Sequence, residues 1–543
     1  MMDEASPMDR QTGTAATIDL GLVLAGAVSG GAYTAGVLDC LVEALDAWHS
    51  DARPHAVHLR VLAGTSSGAL TAAIFSASAN RRFPAVPTAD AGTAANPLYD
   101  GWVNMTDIVD LLGTADARLD GVQSVLDPTR LNEATRHAID HGVGLPQVAR
   151  RWLADPLRLL VTLSNLDGVP FASGPTANAG PAPRRHADVM RHVISGLGGT
   201  ARPDPPTAPD EYSLRMPDDP LDKWATWAPL AAAALGSAAF PLALPARWIQ
   251  RPASDQDHLQ VLWPQGPGHA PEVRTLCPDA GLKRPTQSFQ ALDGGLSGPR
   301  SPVALAREVL AGRDPRTRWP AADEAAPWVL VEVDPQCEAM APASGGVAGF
   351  LVRQLGLQTL WDAPDVAARQ TLPPGCHFRL APAGPGRQGR GTAGGFLGGF
   401  GGYLARAFRQ HDFLLGRRDA QAFLAQGLLL PAEHPLFAAW SVELRARHAT
   451  ASGCLPVIPL ADHLRPPDGG PVAPPEWPWG AADVPGLRRP LRRRVRVLLA
   501  AAVRSRPAWL RLLVWLLAWL IAHALAAWLA RRLSDALRRH DLA

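Results

Sequence analysis

Apolar residues gather in two short runs near the start of the chain, and each run leads through glycines into a segment of helical character. Residues 17–24 (TIDLGLVL) predict a strand, and residues 25–38 predict a glycine-rich turn that becomes a helix. Residues 57–63 (VHLRVLA) predict a second, buried strand, and residues 69–74 predict the beginning of a second helix. Short apolar runs bounded by turn residues are typical of buried strands. The chain therefore opens with two strand–turn–helix units.

Later runs continue this alternation. Residues 287–290 and 328–333 predict two more strands, and residues 403–408 predict a helix after the glycine run at 394–402. The glycine run does not follow a strand into a phosphate-binding motif. We therefore interpret it as flexible packing or as a flap that faces lipid.

The second turn has the sequence Gly64-Thr65-Ser66-Ser67-Gly68. A strand–G-x-S-x-G–helix unit holds its serine on a turn so sharp that only glycines fit beside it, with the hydroxyl exposed. The helix that follows directs unpaired N–H groups and a partial positive charge at an oxyanion formed there. Ser66 is thus a candidate nucleophile, and Gly64 and Gly68 are the glycines of its elbow.

The first turn runs from Gly26 through Ala27 and Val28 to Gly31, and its amides can face an anion. The ligand of such a turn is either a dinucleotide pyrophosphate or the oxyanion of an acyl transfer. The dinucleotide fingerprint G-x-G-x-x-G fails here because Val28 stands where its second glycine belongs. A merely tight turn without a ligand stays open as a third interpretation.

The third candidate feature is Asp293, which is followed by Gly294 and Gly295. Asp-Gly is common turn chemistry and means little by itself. It matters beside a candidate nucleophile, because a serine hydroxyl needs a base. The chain offers no obvious Ser–His–Asp signature to supply one.

Together these three segments resemble the patatin-like phospholipases, which carry a glycine-rich oxyanion loop, a G-x-S-x-G turn and a D-G-[GA] acid. Residues 157–165, as a central strand, and 237–241, before the acid, also resemble the family. The resemblance implies a three-layer α/β/α fold with a mostly parallel central sheet over residues 15–340, and more loosely to about 430. It further implies a lipid acyl hydrolase that uses a Ser–Asp dyad and no cofactor.

Carried over to this chain, the resemblance makes Ser66 the nucleophile and Asp293 its base, and it places Gly26, Ala27 and Val28 in the oxyanion loop. The chain departs from the family at two points. Its loop lacks the usual Gly-Gly-Gly, so Ala27 and Val28 fit only if their φ angles are negative. The segment after the acid, residues 296–302, lacks the family's Asn-x-Pro.

Composition narrows the function classes further. A net charge of +2 is too balanced to favour nucleic acid as a partner. The five cysteines are scattered, without C-x-x-C, which predicts neither disulfides nor a zinc site and favours a reducing compartment. No helix-borne His/Glu metal spacing is recognised, so we predict no metal. The first seven residues have neither a basic nor an apolar region of a signal peptide.

The chain divides into three predicted parts. Residues 15–430 form the catalytic domain, with a proline-rich insertion at about 173–222 that is either a surface loop or a lid. Residues 431–487 are predicted to be an irregular proline-rich linker. Residues 488–543 hold an arginine-rich segment (488–496) and a membrane anchor, with its helix at about 509–530 and Arg531 and Arg532 at its end.

Residues 512–530 contain no charged side chain if His523 is neutral, and at about 1.5 Å per residue they span ~28 Å, close to the ~30 Å hydrocarbon core. Trp509 and Trp528 stand near the ends, as interfacial indoles do. We predict a single spanning helix with the catalytic domain on the cytoplasmic face, because arginine is denser on the N-terminal side. The arginines at 488–496 would bind anionic headgroups. A buried core helix and an in-plane helix are the alternatives.

Three functions remain open. The first is a membrane-associated serine acyl hydrolase that acts on membrane lipids through a Ser–Asp dyad. The second is an α/β-hydrolase esterase with a Ser–His–Asp triad, whose histidine would be His377, His411 or His434. The third is a catalytically silent membrane scaffold.

Overall fold

The computed structural model of this 543-residue chain describes residues 16–50, 53–88, 95–104, 106–118, 121–170, 184–201, 211–215, 223–252, 260–263, 272–275, 286–296, 302–311, 326–336, 372, 375–382, 391–465 and 472–543. The features noted above at residues 1–7 and 297–301 lie outside the described residues. So do the proline clusters of the insertion, at 180–183 and 203–206. Cys40, Cys376 and Cys454 are free thiols, and the other two cysteines lie outside the described residues.

The centre of the described chain is a ten-stranded sheet in the order β12–β11–β1–β2–β3–β10–β7, in which β4 and β5 also pair with β3 and β6 pairs with β4. The strands, including the two small sheets β8–β9 and β13–β14, are β1 (Ala16–Leu24), β2 (His55–Gly64), β3 (Leu153–Pro170), β4 (Arg184–Ser195), β5 (Thr200–Ala201), β6 (Glu211–Arg215), β7 (Arg247–Pro252), β8 (Gln260–Trp263), β9 (Glu272–Thr275), β10 (Thr286–Leu292), β11 (Trp328–Val333), β12 (His377–Leu380), β13 (Leu429–Pro431) and β14 (Cys454–Pro456).

The strands from β12 to β3 are parallel, whereas β10 and β4 run antiparallel to β3. The register places Leu24 of β1 and Val161 of β3 beside Gly64, the last residue of β2. The turns that follow β1 and β2 therefore meet at one edge of the sheet. This is the mixed, mostly parallel sheet that the resemblance implies.

The described helices are α1 (Gly31–Trp48), α2 (Ser67–Ser78), α3 (Pro97–Tyr99), α4 (Ile108–Leu111), α5 (Thr129–Gly144), α6 (Lys223–Ser237), α7 (Pro302–Ala311), α8 (Arg406–Gln426), α9 (Val442–His448), α10 (Val484–Ala502) and α11 (Ala508–Arg539). Short 3-10 turns lie at Val28–Gly30, Leu397–Gly399, Gly401–Leu404, Pro435–Phe437 and Asp462–Leu464, and a π-helical turn lies at Asp100–Asn104.

Alternate residues of the central strands face two separate cores, which makes three layers. Leu20 and Leu22 of β1 pack into the larger core with α1, α2, α5, α6 and α8. Val23 points the opposite way and packs with Val61 and with Leu310 of α7. Because successive side chains of a strand point to opposite faces, a strand covered on both sides reads as one continuous apolar run. The strand predictions at 17–24, 57–63, 157–165, 287–290 and 328–333 are confirmed.

Two segments differ from their predicted character. Within the insertion, residues 184–195 are strand β4 and pair with β3 along the central sheet, so this part is neither a loop nor a lid. Residues 431–464 are not irregular, because β13 pairs with β14 and Leu455, Val457 and Ile458 are buried in the larger core. Charged residues interrupt the apolar pattern of β4, and β13 and β14 have only three residues each, so tertiary pairing rather than local pattern decides these strands.

The C-terminal helices are longer and more firmly packed than predicted. Helix α11 is long and apolar enough to cross a membrane, but it does not end at Arg531 and continues to Arg539. The arginine-rich segment lies on α10. Arg494, which we predicted to bind headgroups, is instead buried and forms a bidentate ion pair with Asp116 at 2.7 and 2.8 Å.

Candidate active site

Ser66 lies on the sharp turn between β2 and α2. Its φ of 53° and ψ of −125° are unusual for a side chain with a Cβ, and such backbone strain is common at functional sites. The flanking glycines are required by space. A Cβ at Gly64 would lie 2.6 Å from the Ala69 Cα, and a Cβ at Gly68 would lie 2.1 Å from the Leu24 carbonyl oxygen. The elbow therefore has the geometry predicted for it.

The Ser66 hydroxyl donates a hydrogen bond to Oδ2 of Asp293, with 2.6 Å between the oxygens. The two residues are 227 positions apart in the chain. Both are buried, at 7% and 6% relative exposure. The structure thus brings together the two residues that the sequence marks as nucleophile and base.

Backbone contacts hold Asp293 at the end of β10. Its amide donates to the Ala239 carbonyl at 3.1 Å, and its carbonyl accepts from the Ser164 hydroxyl at 2.6 Å. The Gly295 amide donates to Oδ1 at 2.9 Å, which leaves Oδ2 for Ser66. A Cβ at Gly294 would lie 2.3 Å from the Thr162 carbonyl oxygen, so the Asp-Gly-Gly turn packs directly against β3.

Burial raises the pKa of Asp293 from its ordinary 3.8 to about 6, and the hydrogen bonds from Ser66 and Gly295 oppose that rise. Burial acts this way because a low-dielectric site penalises the charged carboxylate. A base whose pKa lies nearer to neutrality takes a proton more readily.

Ser237, the last residue of α6, supports both halves of the site. Its hydroxyl accepts a hydrogen bond from the Ser66 amide at 2.8 Å, and its carbonyl accepts one from the Gly294 amide at 3.1 Å. Ser237 lies in the segment 237–241, which resembles the family, but its sequence predicted no role for it. The structure shows that it joins the nucleophile turn to the acid turn.

The loop after β1 lies against Ser66, but its three predicted residues are not equivalent. A Cβ at Gly26 would lie 2.6 Å from the Ser66 Cβ, so this position must be glycine. The amide of Ala27 already donates to the Ser67 hydroxyl at 2.9 Å. Val28 has a φ of +50°, so the expected negative φ is wrong for this residue. A β-branched side chain in the left-handed region is strained, and packing around the loop maintains that conformation.

Three backbone amides near Ser66 are free to donate a hydrogen bond to a bound group. Within the described part of the chain, the N–H groups of Gly26, Val28 and Ser67 donate no hydrogen bond to another residue. Ser67, at the start of α2, was not among the predicted site residues. Its place directly after the nucleophile at a helix N-terminus is the feature that could have identified it.

The glycine run at 394–402 packs closely against the loop after β1. Its interpretation as a flap is therefore wrong. The Ser29 hydroxyl donates to the Gly399 carbonyl at 2.5 Å and accepts from the Gly402 amide at 3.0 Å. A Cβ at Gly399, whose φ is +89°, would lie 2.8 Å from the Ala27 carbonyl oxygen. The run is therefore a closely packed support.

Apolar side chains surround the loop on one side. Val28 packs against an apolar cluster that also includes Leu112, Leu126, Leu244 and Phe400, which we call the mouth cluster. Its remaining members are Ile108, Leu111, Ala243, Tyr403 and Leu491. Its half-buried members, among them Val28, Leu244 and Phe400, leave apolar surface that an acyl chain would cover.

The histidines of the alternative triad have other partners. His377 contacts Glu332 at 3.2 Å, and His411 contacts Asp412 at 3.1 Å. The His434 ring accepts from the Leu436 amide at 3.1 Å. The geometry therefore favours a Ser–Asp dyad over a Ser–His–Asp triad.

A separate group of metal-ligating side chains escaped the sequence analysis. His137 and His141 lie one turn apart on α5, and their ring nitrogens are 3.3 and 4.0 Å from Oδ2 of Asp100. The three ligand atoms lie within 4.8 Å of one another. Two histidines and a carboxylate suit Zn²⁺ or another first-row divalent cation. The spacing of the two histidines was the available signal.

Comparison with known proteins identifies the family of this chain. The family model of patatin-like phospholipases matches residues 22–299, which contain Ser66 and Asp293. An uncharacterized protein of Sinorhizobium fredii, y4iI, is 31% identical over 519 residues, covering 84% of this chain and 72% of the relative.

Proposed function

Because this chain belongs to the patatin-like phospholipase family and is therefore a lipid acyl hydrolase, we propose that it cleaves ester bonds of membrane phospholipids or related lipids through a dyad of Ser66 and Asp293. The observation that carries the proposal is the 2.6 Å hydrogen bond between the Ser66 hydroxyl and the Asp293 carboxylate in a buried site. A serine and a base within hydrogen-bonding reach are the minimal unit of nucleophilic acyl transfer.

In the acylation step, the Ser66 oxygen attacks the ester carbonyl while Oδ2 of Asp293 accepts the hydroxyl proton. The carbonyl oxygen becomes an oxyanion, which the free amides of Gly26, Val28 and Ser67 stabilise. One good donor of this kind is worth about 3–4 kcal/mol in the transition state. The ester C–O bond then breaks, and the departing alcohol takes the proton from Asp293.

In the deacylation step, Asp293 accepts a proton from a water molecule that attacks the acyl-Ser66 ester. The bond from the acyl carbon to the Ser66 oxygen breaks, the fatty acid leaves, and the proton returns to Ser66. The buried site strengthens this chemistry, because a dry environment strengthens the hydrogen bond between serine and carboxylate.

The mouth cluster supports a lipid as the acyl donor, because its side chains are apolar and lie beside Val28. We also propose that the protein associates with a membrane through α11, whose length and apolar character suit a bilayer. A cytoplasmic catalytic domain remains the prediction from the arginine distribution. Membrane lipid is the proposed partner, and neither nucleic acid nor a cofactor enters the mechanism.

Labelling with a fluorophosphonate serine probe tests the dyad. We expect the detergent-solubilised full chain to be labelled and to release fatty acid from phospholipid micelles. The Ser66→Ala and Asp293→Asn variants should lose both activities. Ser76→Ala is the matched control, because Ser76 is also a buried serine, on α2, and its hydroxyl has no hydrogen-bond partner among the described residues.

Two outcomes would contradict the proposal. Loss of labelling in His377→Gln or His434→Gln, with folding retained, would favour a histidine triad. A folded wild-type chain that is not labelled, under conditions where a control hydrolase is, would favour the catalytically silent scaffold.

A further inference from the structure

The C-terminal helices pack against each other, and their contacts restrict how α11 can meet a membrane. The buried residues of its apolar half are Ala518, Ala522, Ala526 and Ala530, which form one stripe at four-residue spacing. Helix α10 covers this side, as shown by the Arg492 guanidinium 2.7 Å from Nε2 of His523. The arginine-rich helix therefore lies beside the middle of the apolar stretch.

Helix α10 is in turn attached to the catalytic domain along its length. Leu491 belongs to the mouth cluster. Arg494 pairs with the buried Asp116 and also donates to the carbonyls of Ser124 and Val125, at 2.9 and 2.8 Å. Beyond the helix, a Cβ at Gly121 would lie 4.0 Å from Nη1 of Arg504. Helix α10, which leads into α11 through a short turn, is thus held on the catalytic domain.

The far end of α11 is attached to the same domain. Ala530, Ala536 and Leu537 share a core cluster with Phe396 and Phe408. Immediately after the helix, the Trp477 indole donates to the Asp541 carbonyl at 2.6 Å. The far end of α11 and, through α10, its beginning are therefore held to one folded body.

A spanning helix would need these ends on opposite faces of the bilayer, about 30 Å apart. It would also carry the arginines of α10 into the hydrocarbon or separate α10 from α11. Moving the arginines into the hydrocarbon costs ~2.5–3.5 kcal/mol per arginine on insertion scales, and separating the two helices leaves the alanine stripe of α11 uncovered. The packed structure is compatible with neither.

Resting on the membrane association proposed above, we infer that α11 lies in the plane of one leaflet and that both of its ends stay on the same side of the membrane. Its exposed face is rich in large apolar side chains, with Trp509, Trp515 and Trp519 at 67%, 73% and 56% exposure. The remaining exposed members are Leu512, Leu513, Leu516, Leu517, Leu520, Ile521, Leu525 and Trp528. Such a face enters the boundary between headgroups and acyl chains.

The charges beside this face indicate which membrane it binds. Arg488, Arg489, Arg493 and Arg496 of α10 are exposed, whereas Arg494 is buried. Exposed arginines near a bilayer attract anionic lipids. The occupant of this surface is therefore an anionic bilayer. Leu491 of α10 and Val28 of the loop after β1 both pack against the mouth cluster, so the membrane-binding surface lies close to that loop.

Protease access to two tags tests the topology in sealed membrane vesicles from cells that produce the full chain. One tag follows Ala543, and the reference tag is inserted at Gly453, in an exposed turn. We expect both tags to be cleaved to the same extent before detergent is added. Cleavage of one tag with protection of the other would show that α11 spans the membrane and would overturn the inference.

Vesicle flotation tests the surface itself. We expect the full chain to float with vesicles of phosphatidylcholine and phosphatidylglycerol, and to float less with phosphatidylcholine alone. The double variant Trp515→Gln/Trp519→Gln should bind about tenfold or more weakly, because it loses two large apolar contacts. Trp248→Gln is the matched control, because Trp248 is 65% exposed on β7.

Equal binding of the double variant and the control would overturn the role of this face. Failure of the wild-type chain to float would overturn membrane association itself. Fluorophosphonate labelling in detergent is measured separately, so a failure of the catalytic proposal is distinguishable from either result.

Discussion

Replacing Asp293 with asparagine should stabilise the folded chain at neutral pH while it removes the base. Asparagine can keep both contacts of the carboxylate. Its carbonyl oxygen can accept from the Gly295 amide, and its amide nitrogen can donate to the Ser66 hydroxyl, at the sites that Oδ1 and Oδ2 now occupy. The main difference between the two side chains is then the buried negative charge.

The pH dependence follows from the raised pKa of Asp293. The folded chain holds this proton up to about pH 6, whereas the unfolded chain releases it near pH 4. Between these values the folded state binds more protons, so wild-type stability falls as the pH rises. The difference between a pKa of about 6 in the folded chain and 3.8 in the unfolded chain lowers the free energy of unfolding by ~3 kcal/mol once both states are ionised, at about 1.4 kcal/mol per pKa unit.

Unfolding by urea, followed by circular dichroism from pH 4.5 to pH 8, measures this effect. We expect the stability gain of Asp293→Asn to be small at the acid end and to reach up to ~3 kcal/mol above pH 6. Asp188→Asn should have the opposite sign. Burial would raise the pKa of Asp188, but Arg251 at 2.7 Å lowers it, so the charged form is the stable one there.

A gain that does not shrink toward pH 4.5, or no gain at pH 8, would refute the argument that burial of the Asp293 charge is costly. Each gain is the difference in stability between variant and wild type at the same pH, and its change with pH carries the conclusion.

Three further predictions concern the same parts of the chain. Hydrolysis should fall as the pH drops below about 6, because Asp293 is then protonated and cannot accept the serine proton; a profile of rate against pH measures it. Gly26→Ala should slow fluorophosphonate labelling by roughly 10²–10³, since its Cβ would lie 2.6 Å from the Ser66 Cβ and displace an oxyanion donor; normal labelling would contradict the assigned loop. Arg494→Met should cost about 3–5 kcal/mol in unfolding by leaving Asp116 buried without its partner, and the added Asp116→Leu should recover part of that loss.

Much of the catalytic fold could be predicted because neighbouring residues determine its strands and turns. A run such as residues 57–63 specifies a buried strand by its own side chains, and Gly64 and Gly68 are demanded by the turn in which they stand. A strand or turn can be predicted from a short sequence pattern when the residues that cause it lie within that same pattern. The nucleophile turn and its helix were therefore predicted with their correct positions.

Contacts between distant segments could not be read this way. The joining role of Ser237, the occupied amide of Ala27 and the positive φ of Val28 depend on elements far apart in the chain. The glycine run was misinterpreted for the same reason, because its partner, Ser29, lies 370 residues away. No local pattern shows which backbone donors are already hydrogen-bonded to a distant segment, as the Ala27 amide is to Ser67.

The C-terminal helix shows both sides of this division. Its apolar character can be read from residues 512–530 alone, so the sequence by itself predicted a helix apolar and long enough to cross a membrane. Which side of that helix is covered depends on α10, whose Arg494 is held by Asp116 on the catalytic domain. Hydropathy measures a segment's preference for lipid, whereas its direction relative to the membrane is decided by what packs against it and where its two ends are fixed.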